Sequence, residues 1–516
     1  MPEGSFPFAS FRSGQREALD AARDAFADGK RFVVIEAPTG AGKSAIAVAL
    51  AREAGSSYIL TAQKVLQQQY TRDFPELAIM KGRSNYACLV APTHAAAAPC
   101  LTGRRFPACD DCPYFVAKDV AMAASSVTLN YAYYLAELNY AGGFRDRDLL
   151  VLDEAHNAEG ALMGFVQVTL GEAWLARAGI QRRLPPPLGD EGYFDFAEDL
   201  VPELLERGRE LDSELRHDDL PEAAALARLQ AKQWLDGQLA RLELLVGSRE
   251  DDGVEWVVER RRSSFGDSLE FKPVEVSPFA EALLFRGSRQ VLMLSATVLD
   301  PATFLRGLGI DEDEAAVIRT PSSFPPENRP VVLQPVARLT RHHLATGLPR
   351  LVDAIAELCD RHSDEKGVIH AHSYRIAQAI ERGLPSEHAW RLVTHHDASE
   401  RDAALAAHLE SDAPTILLSP SMTEGIDLSE DLARWQVLCK VPYPYLGDPQ
   451  VARRMERDAG WYDWRTCLSI VQAYGRSVRS EDDYAVTYLL DADFPAYLRR
   501  QRGRLPGWFL EALQEV

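Results

Sequence analysis

The chain has 516 residues, 46% hydrophobic and 26% charged, the balance of a folded globular protein with more length than one core of about 100–200 residues fills. Its 56 Lys+Arg stand against 76 Asp+Glu, a net charge of −20, which argues against non-specific coating of nucleic acid but leaves room for a local basic channel. No apolar run of about 18 residues and no basic–apolar–small leader occurs, so neither a membrane span nor a secretion signal is expected, and the expected location is the cytoplasm.

In chain order, "RFVVIEA" (31–37) is a short β-branched run that predicts a buried strand, and "KSAIAVALAREA" (43–54) follows with helical spacing. Between them "APTGAGKS" (37–44) departs from the phosphate-loop pattern only at Ala37. Gly40 and Gly42 let backbone N–H groups approach phosphates at a helix N-terminus, Lys43 reaches the β- and γ-phosphates, and Ser44 holds Mg²⁺. "SYILTA" with "KVLQQQYTRDF", and then "DLLVLDEAH" (148–156), repeat the strand–helix alternation of a doubly wound α/β domain. Asp153 at the strand tip suits Mg²⁺, and Glu154 suits proton removal from the attacking water.

Between these segments lie four of the seven cysteines, Cys88, Cys100, Cys109 and Cys112. An odd total in reduced surroundings makes a disulfide framework improbable, and four thiolates on one loop-rich segment suit a metal; spacing leaves zinc and an iron–sulfur cluster both open. His94, between the first two, reads as a loop residue, and Cys359, Cys439 and Cys467 as buried structural thiols. Tyr131, Tyr133 and Tyr134 read equally well as base-stacking or as core.

From about residue 160 the chain turns rich in Leu, Ala, Glu and Arg, with Leu235, Leu239 and Leu242 on one helical face, so a mostly helical insertion is expected. "VEWVVER" and "QVLMLSAT" (290–297) return to strand patterns, and "SSFPPENRP" (322–330) reads as a linker. A second α/β series follows in "KGVIHAHS", "TILLSPS", "WQVLCKVP" and "YAVTYLLD". In "QAYGRSVRSEDDYAV" (472–486), Arg476 and Arg479 fall on one helix face, where they could stabilise charge on a transferring phosphoryl group. Alone, these motifs would read as a chance glycine loop, an acidic turn and a solvated helix face; together they favour the chemical reading.

The segments resemble, in order, the XPD/DinG-like iron–sulfur DNA helicases of superfamily 2. "FRSGQREAL" (11–19) is similar to the adenine-contacting entry motif through Arg12 and Gln15, and "LTAQKVLQQQY" (60–70) to the segment touching the DNA backbone. "LSAT" (294–297) resembles the coupling motif, "HAHSYRIA" (370–377) motif IV, and "SMTEGIDL" (421–428) motif V, with Glu424, Gly425 and Asp427. "KVPYPYLGDP" (440–449) and the Arg476/Arg479 segment resemble the motif VI region. The resemblance implies an α/β chain of two RecA-like motor domains, the first carrying an inserted iron–sulfur domain and a helical arch. The implied limits are 1–84, 126–160 and 286–322 for motor domain 1, 85–125 for the cluster domain, 161–285 for the arch and 323–516 for motor domain 2.

It further implies ATP contacts from Arg12, Gln15, Gly40, Gly42, Lys43, Ser44, Gly425, Asp427 and Gln472, with catalysis by Lys43, Asp153, Glu154, Arg476 and Arg479. His156 is implied to couple nucleotide state to DNA. The implied cofactors are a [4Fe–4S] cluster on Cys88, Cys100, Cys109 and Cys112, and Mg²⁺ on Ser44 and Asp153. The implied substrates are ATP, single-stranded DNA and forked duplexes, engaged by a monomer with 5′→3′ polarity. The competing reading is an ATP-dependent DNA clamp or complex subunit that remodels partners without unwinding.

Overall fold

The computed structural model describes residues 4–515 except 39, 63, 103–106, 188, 217–220, 250, 252, 264–265, 322–323, 398–399, 421–427, 429 and 476–482. The first strands are β1 (Phe32–Glu36), β2 (Ser57–Thr61), β3 (Ala78–Ile79), β4 (Ser126–Asn130) and β5 (Arg147–Asp153). Three strands of an insertion follow, β6 (Val168–Gly171), β7 (Trp256–Ser263) and β8 (Gly266–Pro273), before β9 (Ser288–Ser295) and β10 (Ala315–Arg319). The second half holds β11 (Val331–Ala337), β12 (Gly367–His370), β13 (Leu392–Thr394), β14 (Ile416–Ser419), β15 (Trp435–Leu438), β16 (Val486–Asp491) and β17 (Leu513–Glu515).

These strands form two parallel sheets, β10-β1-β9-β5-β2-β4-β3 and β13-β14-β12-β15-β16-β11-β17. Every residue of β1 and β2 is buried, as expected of parallel strands covered by helices on both faces. The two sheets are the cores of two RecA-like domains. A continuous apolar cluster runs from one face of the first sheet through the insertion into the helix Ala459–Tyr474 of the second domain.

The insertion holds the expected long helices, Asp190–Leu215 and Glu222–Ser248, packed against each other. Leu235 and Leu242 are fully buried in their contact, and Leu239 packs beside them. The insertion is less helical than its composition suggests, because β6, β8 and β7 make an antiparallel sheet at its base. Its second helix also packs against the Pro99–Thr102 turn of the cysteine segment. No described helix is long and apolar enough to cross a membrane.

Candidate nucleotide site

Register brings the chemistry to one edge. β9 lies between β1 and β5, with Glu36 opposite Ser295 and Asp153 opposite Leu294. Parallel strands all end on the same side, so the phosphate loop after β1, the serine ending β9 and the acidic pair ending β5 share the carboxyl edge where α/β sheets bind ligands.

The loop is braced from before β1. Arg12 Nη1 donates to Gly40 O (2.6 Å), Gln15 Nε2 donates to Gly42 O (3.1 Å), and Arg12 N donates to Gln15 Oε1 (2.6 Å). Gly40 and Gly42 have φ of 82° and 78°, the left-handed region that glycine enters without a Cβ clash. At Gly42 a Cβ would also stand 2.0 Å from Gln15 Nε2, so the brace itself requires glycine. Lys43 opens the helix Lys43–Ala54, is buried, and donates from Nζ to Ala37 O (3.1 Å).

Asp153 is buried at the tip of β5 and accepts from Glu154 N (3.0 Å). Burial and then the adjacent Glu154 charge push its carboxyl up, while the Lys43 ammonium and Tyr70 phenol pull it back. Two fully buried tyrosines enclose it: Tyr131 donates to its carbonyl (3.2 Å), and the Tyr70 phenol, held high by burial and the Asp153 charge, lies beside it and Ser44. The oxygen donors of Ser44 and Asp153 suit Mg²⁺, whose charge would favour the ionised carboxylate.

Glu154 is one of three non-glycine residues at positive φ (49°) among the described residues. His156 Nδ1 lies 3.4 Å from Glu154 Oε2 and 3.0 Å from Ser295 Oγ. Asn157 Nδ2 stands 3.1 Å from His156 Nε2, and Ser295 Oγ donates to Thr297 O (3.0 Å). Both contacts are satisfied when His156 carries its proton on Nδ1 and donates it to Ser295. Thr297 Oγ1 then accepts from Gln472 Nε2 (3.4 Å), on the second domain's helix. This line from acidic pair to second domain is not legible as spacing; only the occurrence of "LSAT" signals part of it.

Gly425, Asp427, Glu424, Arg476 and Arg479 lie outside the described residues. Tyr131 and Tyr134 are core, the latter donating to Leu284 O (3.2 Å), and Tyr133 pairs with the Tyr114 hydroxyl (3.2 Å). Burial assigns Tyr131 and Tyr134 to packing, while Tyr133 is half-buried. Cys359, Cys439 and Cys467 are buried, and burial pushes the Cys359 and Cys467 thiols up to about 11.

In the cysteine segment the Cys100 thiol is raised by burial and by the neighbouring thiols of Cys109, Cys112 and Cys88. Val90 N donates to Cys88 Sγ (3.4 Å), and Cys112 sits at the N-cap position of the helix Pro113–Ala123 without a side-chain cap hydrogen bond. His94 is exposed, pairs with Ala87 in an isolated antiparallel bridge and precedes the short helix Ala95–Ala97. Among the described residues no three His, Cys, Asp or Glu side chains are set to hold a metal ion. The segment therefore shows neighbouring thiols, a donor set that suits soft metals, and not an assembled metal site.

Two RecA-like domains, with a phosphate loop and an acidic pair in contact across their interface, are the arrangement of a two-domain helicase motor. Residues 8–171 match the family described as type III restriction enzyme, res subunit, and residues 355–512 match the helicase C-terminal domain family. The ATP-dependent DNA helicase YoaA of Escherichia coli is 22% identical over 93% of this chain and 91% of its own length. The ATP-dependent DNA helicase DinG of Photobacterium profundum is 26% identical over 57% of this chain and 44% of its own length. A solved XPD helicase superposes with a TM-score of 0.67 at 16% identity, covering 99% of this chain and 100% of its own. The two helicase-domain matches, these relatives and the shared fold together support an XPD/DinG-like superfamily 2 helicase.

Proposed function

We propose that the protein is an ATP-dependent DNA helicase that moves 5′→3′ on single-stranded DNA and separates duplexes at its cysteine segment. The observation that carries this reading is the line of contacts from Glu154 to His156, then by hydrogen bonds through Ser295 and Thr297 to Gln472, which ties the hydrolytic edge of one domain to the other. Glu154 takes the proton of the attacking water, Lys43 neutralises phosphate charge, and Ser44 and Asp153 hold Mg²⁺. Arg476 and Arg479 act on the transferring phosphoryl group from the second domain, where Gly425, Asp427 and Gln472 complete the nucleotide contacts. Arg12 and Gln15 hold the loop that grips the phosphates and border the base.

In this reading residues 85–125 are an iron–sulfur domain whose Cys88, Cys100, Cys109 and Cys112 hold a [4Fe–4S] cluster, which supplies covalent cross-linking to a segment with little apolar core. Residues 161–285 are the arch, and its packing on the Pro99–Thr102 turn supports closure over the cluster domain. A role in DNA repair or replication-structure processing belongs to this reading, and its repair half has support in the name of one relative, the general transcription and DNA repair factor IIH helicase subunit XPD/RAD3 of Saccharomyces cerevisiae. The test is ATP turnover with and without single-stranded DNA, with iron and sulfide measured on anaerobically purified protein. DNA-stimulated turnover with about four irons and four sulfides per chain is expected; turnover indifferent to DNA contradicts the motor, and zinc in place of iron contradicts the cluster alone.

A further inference from the structure

Glu36, the last residue of β1, is a carboxylate only 7% exposed that the nucleotide chemistry above does not use. It belongs to the turn after β9. Oε1 accepts from Val298 N (2.7 Å) and Leu299 N (2.8 Å), while Oε2 accepts from Arg319 Nε (2.8 Å). Arg319 Nη2 donates in turn to Leu299 O (2.8 Å). Leu299 has φ of 63°, a left-handed conformation that a branched side chain holds only when its surroundings impose it.

The other side of the same turn is held by the second domain. Trp464 Nε1 donates to Val298 O (2.8 Å), and Gln472 Nε2 to Thr297 Oγ1 (3.4 Å). Trp464 is 2% exposed, so its indole N–H has no water to exchange for that carbonyl. One residue after Glu36, Ala37 N donates to Ser295 O (3.0 Å), and Ala37 O receives Lys43 Nζ (3.1 Å). A shift of the phosphate loop therefore reaches Glu36 through one peptide unit, and a shift of the second domain reaches it through the indole.

We propose that Glu36 and Trp464 are positioning residues that grip the 297–299 turn from opposite domains and so couple DNA-driven domain movement to hydrolysis. The proposal rests on the motor reading above. Neither residue is among the nucleotide contacts of that reading. Loss of either grip should lower the DNA-stimulated rate and spare the basal rate, a split that general destabilisation does not produce.

The experiment measures basal kcat, DNA-stimulated kcat, the KM for ATP and the melting temperature of the full chain and of Glu36→Ala, Glu36→Gln, Trp464→Phe and Glu36→Ala/Trp464→Phe. Glu36→Ala and Trp464→Phe should each cut stimulation at least about tenfold, with basal kcat and KM within about threefold of the parent. The double variant should be no worse than the worse single one, because both act on one turn. Glu36→Gln, which still accepts from both N–H groups, should recover most of the stimulation. Should Glu36→Ala fail to fold, Trp464→Phe decides alone. Full stimulation in Trp464→Phe, or a parallel fall of basal and stimulated rates, overturns the proposal. A parent without any DNA stimulation instead overturns the motor reading.

Discussion

At the scale of single residues, the site depends on groups whose chemistry is set by one or two neighbours. Glu154 stands at the end of a strand with its carboxylate facing His156, so Glu154→Gln should reduce ATP turnover by about 10²–10⁴-fold while nucleotide binding persists. Lys43→Ala should instead weaken binding itself. Steady-state kinetics beside equilibrium nucleotide titration separates the two; binding lost in Glu154→Gln would show that the carboxylate holds the ligand. Gly42→Ala meets both a left-handed backbone and Gln15, and should cost about 1–2 kcal/mol from the backbone alone. Calorimetric melting checks it, and an unchanged melting temperature would mean that the brace yields freely. Such residues divide by legibility. The glycines and the lysine are visible as spacing, because the phosphate loop is local in the chain. Glu36, Tyr70 and Trp464 are not visible, because what they touch lies far away along the chain.

At the scale of elements, β1, β5, β12, β14, β15 and β16 are readable because doubly covered parallel strands are continuous apolar runs. β3 spans only Ala78–Ile79 and β13 only Leu392–Thr394, too short for any period to register. β11 carries Pro335 and a register shift beside it, which hides it as a strand. In the insert β7 is readable from "VEWVVER", but β6 spans only Val168–Gly171 and β8 alternates Leu269 and Phe271 with charged neighbours, so the rest of its small sheet does not stand out.

Two predictions belong to this scale. Cys112→Ser or Cys109→Ser should bleach a broad absorbance near roughly 400 nm and make residues 85–115 protease-sensitive, with both sheets intact by circular dichroism. Loss of the sheets would show that the segment supports the core. The second concerns His408, which is buried and set between Leu432 O (3.0 Å from Nε2) and Thr415 Oγ1 (2.8 Å from Nδ1). Burial holds it below its ordinary 6.5 against the Leu432 carbonyl, which raises it, with Lys366 lowering it further. The unfolded chain therefore binds the proton first, so stability is present above about pH 6.5 and drains as pH falls below it. The second domain's melting temperature should fall between pH 7 and 5, and less so in His408→Gln; equal slopes would remove His408 from the cause.

At the scale of the whole molecule, the two domains meet through polar contacts as well as the shared apolar cluster. Glu159, after the acidic pair, binds the buried Arg454 of the helix Pro449–Arg457. The same helix reaches the insertion's sheet through Asp448–Lys272 (2.9 Å), Arg457–Glu255 (2.9 Å) and Gln450 Nε2 to Val274 O (2.7 Å). One helix thus touches the first domain and the base of the insertion together. Because breaking a buried pair leaves an uncompensated charge, Arg454→Ala should destabilise by about 3 kcal/mol; a loss under about 1 kcal/mol would mean that water replaces the guanidinium. None of this is legible in the sequence, where Glu159 and Arg454 are ordinary helix charges.

The motor claim is tested most directly by strand separation on a forked duplex with a single-stranded 5′ tail, with ATP and Mg²⁺, for the parent, Glu154→Gln and Cys112→Ser. The parent should separate the strands and leave a 3′-tailed duplex intact. Glu154→Gln should bind DNA without hydrolysis or separation, and Cys112→Ser should hydrolyse ATP on DNA without separation. A parent that hydrolyses ATP on DNA yet leaves every fork paired would contradict the helicase and favour a clamp.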